Sequence, residues 1–138
     1  MIIKYHLEKG ALTPTKAHKS DAGFDLYSRN SINVAANSSA VFDTGVHIQI
    51  PEGMVGFLKS KSGLNVHSGI QSEGVIDSGY TGSIVVKLYN HSTENYQVNK
   101  GDKITQLVLI PIPTVSLVAV DSLIETERGE NGFGSSGR

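Results

Sequence analysis

The sequence predicts an all-β domain with one short helix, built as a sandwich, a jelly roll or a barrel. Short apolar segments are separated by turn residues at close, regular spacing. None of these segments keeps an apolar period of 3.6 residues, which a long amphipathic helix would need. The chain has 138 residues, the length of one domain around one core.

The middle of the chain carries two strand patterns and the only helix candidate. Residues Val46–Ile50 alternate apolar and polar side chains, which indicates a half-buried strand. Pro51 and Gly53 predict a turn, and a new strand is expected over Met54–Leu58. A single helical turn is expected around Leu64–His67.

The second half contains further strand patterns. Ile84–Tyr89 is rich in β-branched and aromatic residues, which favour strands. A turn is predicted over Asn99–Asp102, and the nearly continuous apolar run Ile104–Ile112 predicts a strand buried on both faces. Ser116–Val120 is expected to add another strand.

Composition narrows the function classes. The net charge is −1 with no run of Lys or Arg, which argues against a dedicated nucleic-acid surface. The chain has no cysteine, so it has neither disulfides nor thiol chemistry, and its five histidines lack the close spacing of zinc ligands. No apolar stretch approaches 18 residues and no signal-peptide pattern is present, so we expect a cytoplasmic protein without a membrane role.

The segment Arg128–Arg138 is rich in glycine and serine, with Phe133 as its single aromatic residue. Such a segment cannot bury enough apolar surface to fold alone. Its free backbone N–H groups, hydroxyls and guanidinium groups suit a triphosphate, and Phe133 could stack on a base. We therefore expect a β-domain over residues 1–127 and a mobile lid over 128–138. A solvated, linker-like terminus is the alternative.

Four other segments are more polar than a plain β-domain requires: Asp21–Leu26, Lys59–Leu64, Gly74–Gly82 and Gly101–Leu107. Each has an ordinary structural explanation as a turn cap, a solvated surface, a hairpin or a strand start. The second segment, however, combines two cations, two hydroxyls and a glycine, which could bind an anion. Gln106 falls inside an apolar strand, so its amide must have a partner.

These four segments and the C-terminal tail, in this order and spacing, resemble the five motifs of the homotrimeric dUTPases. The resemblance implies a jelly roll that assembles as a homotrimer. Three active sites would form between subunits, each closed by the C-terminal tail of a neighbour. The implied reaction is Mg²⁺-assisted hydrolysis of dUTP to dUMP and pyrophosphate, which limits uracil incorporation into DNA and supplies dUMP for dTMP synthesis. A regulatory protein partner in addition to dUTP is left open.

The resemblance also implies residue roles. Asp77 would be the catalytic residue, because it matches the aspartate that orients and deprotonates the attacking water. The implied substrate-binding residues are Lys61, Ser62, Gly63, Gln71, Val75, Ile76, Tyr80, Ile84, Gln106, Arg128, Phe133, Gly134 and Ser135. Asp25 would support the phosphate site. Mg²⁺ would be held mainly by substrate phosphates and water rather than by side chains.

Some of these roles are specific to one part of the substrate. Tyr80 would stack under the deoxyribose and exclude a 2′-hydroxyl, Arg128 would bind the γ-phosphate, and Phe133 would cover the uracil. Two positions depart from the usual family pattern. Lys61 replaces an arginine, which loses bidentate geometry, and Gln71 replaces an asparagine of many bacterial relatives that reads the uracil edge.

Two alternative functions remain compatible with this fold. A dCTP deaminase would act on the base, although the tail and the Gly74–Tyr80 segment fit the dUTPase pattern better. A nucleotide-sensing regulatory protein would bind without hydrolysis, but it would not need the complete catalytic set that includes Asp77.

Overall fold

The computed structural model describes residues 1–137. In chain order, the elements of this part of the chain are β1 (Tyr5–Leu7), β2 (Gly23–Tyr27), β3 (Ile32–Val34), β4 (Ser38–Ile48), β5 (Met54–Lys59), α1 (Ser62–Ser68), β6 (Ile70–Ile76), β7 (Ser83–Asn90), β8 (Tyr96–Val98) and β9 (Lys103–Pro111). The expected all-β fold with one short helix is confirmed.

Seven strands form one mixed-order antiparallel sheet, β1-β4-β7-β6-β5-β9-β2, and β3 pairs with β8 in a second sheet. The large sheet is curled, and as a result residues from its two edge strands line one apolar depression. Tyr5 of β1 and Phe24 of β2 meet there beside Leu107 and Leu109 of β9. The fold is the jelly-roll-like barrel expected from the sequence.

The core follows the two-residue period of the strands. On β7, Ile84, Val86 and Leu88 are fully buried, whereas Val85 and Tyr89 point outward. The alternation predicted from Val46 to Ile50 is confirmed, although β4 begins earlier, at Ser38, and ends at Ile48.

Strand β9 confirms the predicted position of a strand but not its burial along the whole length. Ile104 and Leu107 are buried, but Ile110 is 40% exposed. The reason is pairing: β2 lies beside β9 only as far as the Gly23–Val108 pair, whereas β5 continues to Pro111. The last residues of β9 therefore have a neighbouring strand on one side.

The predicted strand over Ser116–Val120 is wrong. The segment lies outside helices and strands, and Leu117 is 99% exposed. A strand requires a neighbouring strand to pair its N–H and C=O groups. Within residues 1–137 no strand pairs with this segment.

Helix α1 replaces the predicted single turn with two turns. It ends at Gly69, whose positive φ of 64° allows its N–H to bond the Asn65 carbonyl at 3.0 Å. Among the residues that the structure describes, no helix is both long and apolar enough to cross a membrane.

Candidate active site

Asp25 forms the centre of a charged cluster on the large sheet. Its carboxylate is only 7% exposed and accepts hydrogen bonds from two lysines. Lys61 Nζ donates to Oδ1, and Lys103 Nζ lies 2.8 Å from Oδ2. Both lysines keep part of their surface exposed, so the cluster presents positive charge to solvent above a buried anion.

Strand pairing places three of the four polar segments at this cluster. Asp25 of β2 lies opposite Gln106 of β9, and Gln106 lies opposite Lys59 of β5. Gln106 Nε2 donates to the Ser60 carbonyl at 3.1 Å. The expectation that Gln106 has a partner is therefore confirmed, and its amide ties β9 to the loop that precedes α1.

The same loop is fixed from a second side. Ser60 Oγ donates to the Ser72 carbonyl at 3.1 Å and accepts from the Ser72 N–H at 3.0 Å. Thr105 Oγ1 donates to the Lys59 carbonyl at 3.0 Å. These contacts hold Lys61 in an extended conformation directly before α1. Ser62 and Gly63 are the first two residues of the helix.

Burial of Asp25 opposes its ionisation, but hydrogen bonds from Lys103 and Lys61 outweigh it and hold the pKa of the carboxyl below its ordinary value. In return, Asp25 raises the pKa of Lys103. Asp25 therefore stays ionised at neutral pH. A ligand that carries phosphates would meet two fixed ammonium groups rather than mobile ones.

Asp77 and Tyr80 share a separate cleft at the β6–β7 hairpin, over residues 77–82. The cleft has a volume of about 260 Å³ and is lined by Val75, Ile76, Asp77, Tyr80, Ser83 and Val85. The Tyr80 N–H donates to the Asp77 carbonyl at 3.3 Å, and the Tyr80 hydroxyl donates to the Ser83 carbonyl at 3.0 Å. The hairpin thus presents the carboxylate and the phenol ring to one space.

Two of the predicted substrate-binding residues on β6 and β7 occupy other surroundings. Gln71 Oε1 lies 2.9 Å from His91 Nε2, and the His91 ring stacks on Tyr89 with centroids 6.2 Å apart. Ile84 has no exposed surface, and its carbonyl accepts from Thr44 Oγ1 at 2.7 Å. The side chain of Ile84 is therefore part of the hydrophobic core.

Over residues 112–137 the tail forms no helix or strand. Arg128 Nε donates to the Asn131 carbonyl at 3.0 Å, and the Phe133 ring is fully exposed. Gly134 and Ser135 are exposed in adjoining turns. Arg138, the last residue of the predicted lid, lies outside the described residues. The four predicted tail residues are thus exposed to solvent, and none of them lines the Asp77 cleft of its own chain.

Within residues 1–137, no three His, Asp or Glu side chains are grouped so that they could hold a metal ion. Both carboxylate oxygens of Asp25 are occupied by lysines.

The sequence model of the dUTPase family matches residues 9–137. The chain belongs to the dUTPase family. The family expected from the five motifs is thereby confirmed, and the match includes the hairpin, the lysine cluster and most of the tail.

Curated relatives of the family cover almost the whole chain. The deoxyuridine 5′-triphosphate nucleotidohydrolase of Saccharomyces cerevisiae is 39% identical over 99% of this chain and 95% of its own length. The enzyme of the same name from Tropheryma whipplei is 42% identical over 96% of this chain and 93% of its own.

Solved structures of the family share the fold. The Staphylococcus bacteriophage 80alpha dUTPase with dUPNHPP has a TM-score of 0.92 and 32% identity, and the match covers 99% of both chains. A mutant dUTPase from phage phi11 of S. aureus has a TM-score of 0.82 and 31% identity over 88% of this chain and 98% of its own. That mutant's structure reveals how a structural Mg(II) ion is coordinated.

Sequence reasoning missed two residues of these dUTPase-family sites. Lys103 belongs to the fourth segment, but the sequence gives no reason to assign it a role; in the structure it bonds Asp25. A β-bulge between Leu26 and Tyr27 shifts the register, so that Tyr27 pairs with Lys103. The sequence contains no local pattern that predicts this bulge. Ser83, which lines the Asp77 cleft and accepts from Tyr80, looked like an ordinary strand start. Its place directly after the Tyr80-containing turn was the available signal.

Proposed function

We propose that this chain is a dUTP diphosphatase, which hydrolyses dUTP to dUMP and pyrophosphate. By doing so it limits uracil incorporation into DNA and supplies dUMP for dTMP synthesis. The observation that carries the proposal is the shared cleft of Asp77 and Tyr80, because it places a carboxylate next to a ring that can pack against a deoxyribose. Family membership and the names of the relatives support the same substrate.

In the proposed reaction, Asp77 accepts a proton from water while the water oxygen attacks a phosphorus of the α–β linkage. One O–P bond forms, and the bridging P–O bond breaks to give dUMP and pyrophosphate. A positioned base of this kind contributes roughly 10²–10⁴ in rate. The exposed hairpin position of Asp77 leaves room for both the water and the substrate.

The phosphates require positive charge. Lys61 and Lys103 supply it from the Asp25 cluster, with Ser62, Gly63 and the Gln106 amide beside them, and Arg128 supplies it from the tail. These cations alone do not balance about four negative charges on a nucleoside triphosphate. We propose that dUTP binds together with Mg²⁺, which neutralises phosphate charge and is held by the phosphates and water.

We further propose that the chain works as a homotrimer. In residues 112–124, seven large apolar side chains are exposed: Ile112, Val115, Leu117, Val118, Val120, Leu123 and Ile124. Apolar exposure of this extent along one segment favours packing on another chain. None of the described tail residues lines the cleft that they are proposed to close, which fits a site on a neighbouring copy. Light scattering should give three times the 14.7 kDa chain mass, and a fully active monomer would contradict this assembly.

The direct test is an assay of the purified protein with dUTP and Mg²⁺, with dCTP in a parallel reaction. We expect pyrophosphate and dUMP in equal amounts from dUTP, and no ammonia from dCTP. Ammonia release would indicate a deaminase. Tight dUTP binding without pyrophosphate release would indicate a nucleotide sensor, and either result would overturn the proposal.

A further inference from the structure

The hairpin that carries Asp77 and Tyr80 is fastened to the barrel by side chains outside the proposed active site. His47 of β4 holds one point of it, because its Nδ1 lies 2.7 Å from the Thr81 carbonyl oxygen. Asp43 of the same strand holds the next point, because its carboxylate accepts a hydrogen bond from Ser83 Oγ. Thr81 directly follows Tyr80, and the Ser83 carbonyl accepts the Tyr80 hydroxyl, so both contacts bear on the position of Tyr80.

The protonation state of His47 follows from its two partners. On one side the Thr81 carbonyl can only accept a hydrogen bond, so Nδ1 must carry a proton. On the other side Nε2 lies 3.0 Å from Glu8 Oε1, and an ionised carboxylate also only accepts. Both contacts are therefore hydrogen bonds at the same time only when the ring is an imidazolium.

A third charged residue connects the two fastening points. Arg29 Nη1 donates to Glu8 Oε2 at 2.7 Å, and Arg29 Nη2 lies 2.9 Å from Asp43 Oδ2. Arg29 Nε also donates to the Asp43 carbonyl at 2.9 Å. Glu8, Arg29, Asp43 and His47 thus form one continuous charged network behind the hairpin, which we call the brace.

We propose that His47 is a positioning residue for dUTP hydrolysis: as an imidazolium it holds the Thr81 carbonyl and so keeps the hairpin in the conformation that places Asp77 and Tyr80. The inference rests on the proposed function, since the hairpin matters only if those two residues act on dUTP. His47 lies outside the cleft that Asp77 and Tyr80 line, so it acts through the backbone and does not touch substrate.

The charges that face His47 favour its protonated form. Glu8 bonds the His47 ring directly, and Asp43 adds negative charge from β4. Arg29 forms salt bridges with both acids. The centroid of the His6 ring of β1 lies 5.7 Å from that of His47. Lys4 lines the same surface depression as His47. The bond to the Thr81 carbonyl and the bond to Glu8 raise the pKa of His47, and the His47 and Arg29 bonds lower the pKa of Glu8.

The raised pKa of His47 determines how the strength of the brace changes with pH. A group with a raised pKa in the folded protein makes its full contribution below its ordinary pKa, about 6.5 for histidine. The contribution is lost as the pH rises through the higher folded value. The brace therefore holds the hairpin fully below about pH 6.5 and weakens as the pH rises through the raised folded pKa of His47.

The test compares kcat/KM for dUTP across pH in the wild type and three variants. In the wild type, kcat/KM should fall as the pH rises and His47 loses its proton; we call this fall the alkaline step. His47→Gln keeps an amide donor but cannot titrate, so it should lack the alkaline step. Glu8→Gln should keep the step but move it to lower pH, because the carboxylate that favours the imidazolium is gone. His6→Gln is the matched control, since it removes a neighbouring imidazole, and its profile should match that of the wild type.

A more severe variant measures the size of the effect. His47→Ala should lower kcat/KM below about pH 6.5, where His47 is protonated, by about tenfold, the scale of a small misplacement of catalytic groups, and His47→Gln should recover part of that loss. An NMR titration of the His47 ring, assigned by comparison with His47→Gln, gives its folded pKa without use of activity. The midpoint of the alkaline step should coincide with this pKa.

The outcomes separate this inference from the proposed function. If the wild type does not hydrolyse dUTP, the proposed function fails. If the wild type is active but His47→Gln keeps an identical alkaline step, or Glu8→Gln leaves the step in place, the positioning role of His47 is wrong. A His47→Ala protein that melts earlier but keeps the wild-type pH profile and kcat/KM would show a structural role only.

Discussion

The Tyr80 ring lies directly over Gly82: a Cβ atom at Gly82 would lie 2.4 Å from the Tyr80 hydroxyl oxygen and 2.5 Å from the ring carbon that carries it. Real Cβ atoms do not come so close, so any side chain at this position must displace the ring. The glycine is therefore required by the place of Tyr80 in the hairpin. Tyr80 in turn is fixed by its hydroxyl, which donates to the Ser83 carbonyl.

Gly82→Ala should raise KM for dUTP by about tenfold, because the displaced ring no longer fits against the deoxyribose. Tyr80→Phe removes the hydrogen bond to Ser83 but keeps the ring in place, so it should have a smaller effect. Steady-state kinetics of the two variants with dUTP provide the comparison. A Gly82→Ala protein with wild-type KM would mean that the Tyr80 ring does not contact the sugar.

Asp77→Asn should lower kcat by at least about 10²-fold, since the amide keeps the shape but cannot accept the proton of the attacking water. Binding of dUTP should change little, which calorimetry can measure on the inactive variant. Glu73→Gln is a matched control, because it removes an exposed carboxylate from β6, the strand that leads into the Asp77 turn. A variant that kept more than about a tenth of wild-type turnover would exclude Asp77 as the general base.

Asp25→Asn should lower the free energy of unfolding at pH 7 by about 1–3 kcal/mol, because hydrogen bonds to a charged group are lost from a buried site. The folded pKa of Asp25 is lowered, so its contribution is complete above the unfolded value of about 3.9. It disappears as the pH falls through the folded pKa. The difference between wild type and variant should therefore shrink in acid.

Chemical denaturation of both proteins at several pH values measures this difference. Glu52→Gln, which changes an exposed carboxylate in the turn before β5, should leave the stability unchanged. A difference between wild type and Asp25→Asn that stayed constant down to pH 2 would contradict the assignment of the effect to the Asp25 charge.

Deletion of residues 128–138 should leave the melting temperature of the ligand-free protein almost unchanged and abolish most turnover. The deleted segment is exposed in its described part except for the half-buried Gly132, and it makes only local hydrogen bonds there. In the complex, Phe133 would stack on the base for about 1–3 kcal/mol, and Arg128 would bind the γ-phosphate. Unfolding of the truncated protein would make the tail structural, and full activity would make it a linker.

The motif residues show how far local sequence information reaches. Asp77 and Tyr80 could be paired from the sequence because they are three positions apart in one turn. The contact of Asp25 with Lys61 and Lys103 could not, because it depends on the strand order β5-β9-β2 and on a bulge after Leu26. The His47–Thr81 contact likewise joins residues that are 34 positions apart in the chain.

The C-terminal segment shows the opposite limit. Ser116–Val120 has the composition of a strand, but composition gives no partner, and without one the backbone stays unpaired.

The side chain of Ile84 lies in the core, because the two-residue period of β7 turns it inward with Val86 and Leu88. The sequence alone did not predict which face of the strand it occupies.

The sequence by itself determined the fold class, the positions of most strands and the five-motif order that indicates the dUTPase family, because these depend on local periodicity and on residue types along the chain. Only the tertiary structure decided which charges meet, which motif side chains face a cleft and which are buried, and that the Asp77 hairpin is braced by His47. Those relationships depend on strand register and sheet order, which bring together residues that are distant in the sequence.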